Sequence, residues 1–124
     1  MIMLNREQVK SLHKKMVTAT GGSSMMRDEA LLDSALSSAF QTFDGVELYP
    51  STIAKIARIA YGIINNHPFI DGNKRIGTYV MLVLLALNRI QIDFTDDDII
   101  RIGLDLANGN MNDTQLFKLI LDRL

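Results

Sequence analysis

A chain of 124 residues, 48% hydrophobic and 22% charged, has the composition of one folded domain; it excludes a disordered polar chain and leaves no room for two independent folding units. Thirteen basic and fourteen acidic side chains leave a net charge of -1, so no global positive field exists to hold DNA or RNA, and direct nucleic-acid binding is not expected. The absence of cysteine excludes disulfides and thiolate metal centres, and "MIMLNREQVK" lacks the charged-then-apolar order of a signal peptide, so the cytoplasm is the expected location.

Asn5 with Gln8 three residues on reads as a capping box opening a helix over Asn5 to Ala19, with Val9, Leu12, Met16 and Ala19 as its apolar stripe and Gly21-Gly22 as its stop. A second helix is predicted from Asp28, turning Leu31, Leu32, Ala35, Leu36, Ala39 and Phe40 inward, and ends before the Asp44-Gly45 turn. "VELYP" alternates like a short extended piece that Pro50 interrupts, a candidate flap beside a site. Ser51 then caps a third helix carrying Ile53, Ile56, Ala57, Ala60, Tyr61 and Ile64; it must stop near Asn66, because Pro68 disfavours helical geometry at His67.

The run "IGTYVMLVLLALNRI" is apolar on almost every face and belongs in the centre of a helical bundle. Bounded by Arg75 and Asn88-Arg89, it falls short of the roughly 18 to 20 apolar residues that a membrane span needs. "IQIDF" reads as a second short extended piece. Thr95 with Asp98 opens a helix through about Ala107, closed by Asn108-Gly109, and a last helix over Asp113 to Leu124 buries Leu116, Phe117, Ile120 and Leu124. The expected class is therefore all-α, with short extended flap segments.

Polar chemistry concentrates between the third helix and the core helix, in "NNHPFIDGNKRIG". A helix start offers unpaired N–H groups and about half a positive charge, so it is a natural anion site. Gly72 lets an anion approach; the N–H groups around Gly72, Asn73, Lys74 and Arg75 can ring phosphate oxygens; Lys74 and Arg75 add full charges and Asn73 a neutral donor. Asp71 at the lip can hold a magnesium ion that keeps most of its waters. His67, with an ordinary pKa of roughly 6.5, can accept a proton from an attacking hydroxyl. Phe69 is expected to anchor the loop in the core.

Each residue also has a plainer reading: His67 as a loop residue, Asp71 or Asn73 as a helix cap, Lys74 and Arg75 as a solvated first turn. Two cations where the helix dipole disfavours them nonetheless suggest that an anion normally sits between them. His13, Tyr49 and Arg58 lie outside any motif and read as packing or surface residues.

Taken together, His67-Pro68-Phe69-Ile70-Asp71-Gly72-Asn73-Lys74-Arg75 resembles the signature loop of the Fic/Doc (Fido) superfamily, and most closely its Doc, or death-on-curing, toxin branch. "TGGSSMMRDEALLDSAL", "GVELYP" and "YGIINNHPFIDGNKR" follow in the order and spacing of that branch, so the resemblance covers essentially the whole chain. It implies an all-helical fold whose motif loop leads into a central helix. It also implies ATP as substrate with Mg2+, His67 as base, Asp71 as metal-binding acid, and Gly72, Asn73, Lys74 and Arg75 as the phosphate-binding turn.

Fic relatives usually transfer AMP to a protein hydroxyl, whereas the Doc branch is understood to transfer the terminal phosphate. The AMP-transferring pattern has a glycine where Lys74 stands and a second arginine where Thr78 stands, so terminal phosphate transfer is favoured here. Ile76-Gly77 departs from the small polar or alanine residues expected there, and Gly77 costs about 1 kcal/mol against alanine in a helix. The resemblance further implies a toxin of a toxin-antitoxin pair, a translation elongation factor as target, and an antitoxin whose tail helix lies across the site. The internal inhibitory helix of some Fic proteins, with a serine or threonine four residues before Glu-Gly or Glu-Asn, is missing: Glu7, Glu29 and Glu47 precede Gln8, Ala30 and Leu48. AMP transfer and a non-catalytic helical binding module are the competing readings; a helical transcription regulator is disfavoured by the charge.

Overall fold

Local capping chemistry sets most of the boundaries in the computed structural model, which describes residues 1–124. Asn5 and Gln8 close the capping box that opens α1 (Arg6–Thr20). Asp28 caps α2 (Glu29–Ser37), which tightens into a single 3-10 turn over Ser38–Phe40. A two-stranded antiparallel hairpin follows, β1 (Thr42–Phe43) and β2 (Val46–Glu47), in register Thr42 to Glu47 and Phe43 to Val46. Then come α3 (Thr52–Asn66), α4 (Asn73–Leu87), α5 (Asp96–Asn108) and α6 (Asp113–Asp122). The architecture is all-α with a short flap, and no helix is long and apolar enough to cross a membrane.

One hydrophobic core draws on every helix, with Val9, Leu32, Ile56, Ile63, Ile76, Met81, Ile102 and Leu116 at its heart. The central position is shared. α3 packs against α2, α4, α5 and α6, while α4 leaves Tyr79 and Leu87 at the surface although its sequence is apolar nearly all round.

Where the two central helices cross, the side chain that is missing decides the fit. A Cβ on Gly77 would lie 2.4 Å from Cγ1 of Ile64 and 3.3 Å from the Ala60 carbonyl oxygen, so the close approach of α3 and α4 requires glycine. The helix-propensity penalty of Gly77 is thus offset by packing. Gly77→Ala gains about 1 kcal/mol of propensity but overpacks a site where misfits cost about 1–3 kcal/mol, so a net fall in thermal stability is expected. A calorimetric melt in which Gly77→Ala is more stable than the parent would contradict this crossing.

"IQIDF" shows the alternation of the extended piece expected there, with Ile90, Ile92 and Phe94 inward and Gln91 and Asp93 outward, and pairs with no strand. Other sequence expectations are corrected. The inward face of α1 is Val9, His13 and Val17, while Leu12 and Met16 are half-buried and Ala19 is exposed. Phe40 is exposed because the 3-10 turn rotates it away from the core; the Lys55 ammonium sits 5.6 Å over its ring. Leu124 lies beyond α6 and is exposed.

The flap is moored to the N-terminal part of α3. Buried Lys55 donates to the Glu47 carboxylate at 2.9 Å and to the Tyr49 carbonyl. Tyr49 in turn donates to Oδ2 of Asp113 at 3.0 Å, an oxygen that also pairs with Arg58 at 3.1 Å. Burial first, and the bond to Asp113 second, push the Tyr49 phenol above its ordinary pKa, so it remains a donor. Tyr49 and Arg58 are packing residues. Lys55 and His67 are separated by about 18 Å along the axis of α3, and Phe43, Val46 and Leu48 stand exposed on the flap.

Candidate active site

Pro68 ends α3 as its ring chemistry demands, and His67 becomes the C-cap in a left-handed conformation, φ 51 and ψ 57, uncommon for any residue with a side chain. The His67 ring is exposed and makes no hydrogen bond within the chain. Two residues later Phe69 plunges to 1% exposure and stacks on the ring of His13, centroids 3.7 Å apart and planes 14° from parallel. Phe69 is the anchor the sequence suggested. His13 is the foundation it rests on, fully buried, its Nε2 2.7 Å from the carbonyl oxygen of Asp71. Since that oxygen can only accept, Nε2 carries the proton.

The Asn73 side chain, expected as a donor to an anion or as a cap, is spent within the loop. Its Oδ1 accepts from the Phe69 N–H and its Nδ2 donates to the Phe69 carbonyl, both at 3.0 Å. Asp71 does not cap the helix either: one of its oxygens, Oδ2, accepts the Ser23 N–H at 2.9 Å. Helix α4 therefore starts on Gly72 with no side-chain cap, whereas Asn5, Asp28, Ser51, Thr95 and Asn112 each cap the other α-helices. The N–H groups of Asn73, Lys74 and Arg75 have no acceptor in the chain.

Gly72 itself is left-handed, φ 77, and a Cβ there would come within 2.9 Å of the Met16 methyl. No other residue type fits this turn without strain.

Charge sharpens the picture. Neither Lys74 nor Arg75 joins any of the chain's ion pairs, although both sit on the positive end of α4. Arg75 is steadied instead by a bond from Nη1 to the Thr20 hydroxyl. Buried Thr78 turns its hydroxyl back to the carbonyls of Lys74 and Arg75, at 3.1 Å each. It presents no charge where an arginine would reach out.

A carboxylate, three open N–H groups and two unpaired cations thus meet at one helix start, with an exposed imidazole at the other end of the loop. No cluster of three or more histidine and carboxylate groups exists to cage a metal. Asp71, with Oδ1 free, suits a magnesium ion held jointly by one carboxylate, substrate phosphates and water, and does not suit a zinc site.

Two grooves flank this point. One, about 210 Å³, lies between Lys74, Arg75 and Thr78 of α4 and Ile99, Ile100 and Leu104 of α5. The other, about 260 Å³, lies between Leu12, Met16 and Ala19 of α1 and Tyr79 of α4. The largest cavity, about 810 Å³, is at the far end of α4 around Leu85, Arg89 and Ile92 and contains none of these groups.

Of the residues sequence reading singled out, Asp71, Gly72, Lys74 and Arg75 lie at the start of α4, and His67 lies at the other end of the loop as the C-cap of α3. Sequence reading missed the residues that hold them: His13, Thr20, Ser23 and Arg27. His13 had a usable signal, its four-residue spacing from Val9 and Val17. The other three act across turns that no local pattern reveals.

Comparison with known proteins places the same stretch of chain within a family. The family model described as the Fic/DOC family matches residues 3–85, which include α1 through most of α4 and the whole motif loop. The chain is also 36% identical over 81 residues to a protein named Toxin Doc from Mycolicibacterium smegmatis (strain ATCC 700084 / mc(2)155); the match covers 64% of this chain and 62% of that relative. With the family's match running through the uncapped helix start and the loop that precedes it, the chain belongs to the Fic/DOC family.

Proposed function

We propose that this protein transfers the terminal phosphate of ATP to a serine or threonine hydroxyl of a target protein, and that it acts as the toxin of a toxin-antitoxin pair. The observation that carries the reading is the start of α4: its N-cap, Gly72, has no side chain and the amide of Asn73 is tied back to Phe69, leaving three N–H groups and two unpaired cations open to an anion. Such a turn neutralises charge on phosphoryl oxygens, which is most of what a loose phosphoryl-transfer transition state requires.

In this reading Gly72 to Arg75 hold the terminal phosphate and His67 accepts the proton of the target hydroxyl. That oxygen attacks the terminal phosphorus in line, the bond to the bridging oxygen breaks, and ADP leaves. A magnesium ion on Oδ1 of Asp71, when bound, supplies further charge neutralisation to the phosphates. Lys74 occupies the space beside the turn and Thr78 offers no clamp for inner phosphates, which favours terminal over inner phosphate transfer. The nucleoside end of ATP is accommodated by the groove between α4 and α5.

The target segment pairs with the exposed edge of the flap by strand addition and runs on for roughly six extended residues, at about 3.3 Å each, to bring its hydroxyl to His67; the resemblance to the Doc branch suggests a translation elongation factor. An antitoxin helix, apolar on one side, fits the groove of Leu12, Met16, Ala19 and Tyr79 next to Arg75. The test is the position of the label. ATP labelled on its terminal phosphate is expected to mark a protein in a bacterial extract, and ATP labelled on the inner phosphate is not; the reverse result means AMP transfer, and no labelling by either favours a binding module.

A further inference from the structure

Between α1 and α2 the chain runs alongside the motif loop. The Ile70 N–H donates to the Met25 carbonyl at 3.1 Å, and the N–H groups of Arg27 and Asp28 both donate to the Pro68 carbonyl, at 2.8 and 3.0 Å. Met26 and Phe69 face each other as an isolated antiparallel bridge. Four further bonds join the same segment to the loop and the start of α4, three of them to His67, Asp71 and Arg75. Arg27 donates from Nε to the His67 carbonyl at 2.6 Å and from Nη2 to the Asn66 carbonyl at 2.8 Å. The Ser23 N–H holds Oδ2 of Asp71, and the Thr20 hydroxyl holds Arg75.

We infer that residues 20–27 form a clasp that sets the geometry of His67, Asp71 and Arg75 together, with Arg27 as the positioning residue for His67. This rests on the proposed phosphate transfer, but goes beyond it in assigning a role to residues that carry no chemistry of their own.

The physical basis is the end of α3. Its last carbonyls lack helical partners and carry the negative end of the helix dipole. The planar edge of a guanidinium spans two successive carbonyls and binds them with charge-assisted bonds, which a lysine ammonium cannot reproduce. Those two carbonyls flank the Cα of His67, one on the residue itself and one on the residue before. Fixing them fixes the left-handed turn that projects the imidazole from the helix end. Ser23 occupies Oδ2 of Asp71 and leaves Oδ1 without a partner in the chain. One segment therefore tunes base, acid and cation at once, and displacing it uncouples all three.

Arg27→Lys and Arg27→Ala, compared with the parent at a temperature where all are folded by circular dichroism, test the assignment. Two readouts are followed: transfer kinetics, and the ring NMR signals of His67, assigned by their loss in a His67→Asn control. Misplacement of a reacting group by about 1 Å costs up to about 100-fold, so kcat is expected to fall about 10- to 100-fold in both variants with KM for ATP little changed. The His67 signals should shift in both. Free guanidinium should restore part of the activity of Arg27→Ala and none of that of the His67→Asn control.

Parent-like kcat in Arg27→Lys, or loss that simply follows thermal stability and does not respond to guanidinium, overturns the clasp. Should the parent itself transfer no phosphate, the functional reading fails separately, and unmoved His67 signals in Arg27→Lys overturn the clasp on their own. Should Arg27→Ala not fold, Arg27→Lys carries the decision by both readouts.

Discussion

Replacing His67 with glycine is expected to abolish phosphate transfer while leaving thermal stability unchanged or slightly raised. Removing a general base costs about 10²- to 10⁴-fold in rate, and the neighbouring groups are poor substitutes, since Oδ2 of Asp71 is held by Ser23, its Oδ1 is assigned to the magnesium ion, and Lys74 and Arg75 are cations. Stability responds differently because His67 sits at φ 51 with an exposed ring that bonds to nothing in the chain. A side chain in the left-handed region costs about 1–2 kcal/mol, which glycine avoids, against about 0.5–1 kcal/mol for the extra freedom glycine has when unfolded. The balance is close to zero or favourable. His67→Ala should lose activity equally and gain no stability. Retention of transfer within tenfold in either variant would remove His67 as the base, and a large drop in melting temperature for the glycine variant would mean the ring is structural.

Phe69→Ala should have the opposite profile, a large loss of stability that takes the site with it. The ring is 1% exposed, lies flat on His13, and belongs to the residue whose N–H and carbonyl both bind Asn73. Truncating a buried phenylalanine costs about 3–5 kcal/mol, a large share of the roughly 5–15 kcal/mol that holds a domain together. The expected fall in melting temperature is roughly 10–20 °C. Inorganic phosphate binding should weaken even in the folded fraction, because the turn from Asp71 to Arg75 loses the support that sets its N–H groups. Phe69→Leu, which keeps most of the volume but not the stacked contact, should fall between. A melt within a few degrees of the parent for Phe69→Ala would show that the loop is held by its backbone bonds alone.

These two neighbours illustrate what kinds of information local sequence carries. Phe69 was legible as an anchor because a large apolar residue in a polar loop has one obvious place to go. His67 stood out from its company as a candidate for the site, but its left-handed backbone was not legible, since that depends on Arg27 reaching across from another turn. Asn73 shows the limit more sharply. As a residue at a helix start it reads as a cap or a donor to an anion, yet its amide is used within the loop and the N-cap position falls to Gly72, so only the closed turn reveals that the N–H groups of α4 are left open. Gly77 reads as a flaw in the helix until Ile64 is seen packed against it.

Much of the architecture could be read from the order of residues: the caps at Asn5, Ser51 and Thr95, the stop at Pro68, the turn at Asn108-Gly109, and the concentration of polar groups in one loop. Those features depend on bonds between residues three or four positions apart, so short-range patterns carry them. What belonged to the tertiary structure alone was the face of α1 that turns inward, the burial of His13 beneath the loop, the failure of "IQIDF" to find a strand partner, and the attachment of residues 20–27 to the site. Each depends on contacts between segments far apart in sequence, where shape and unpaired hydrogen-bonding groups decide the outcome and composition gives no warning.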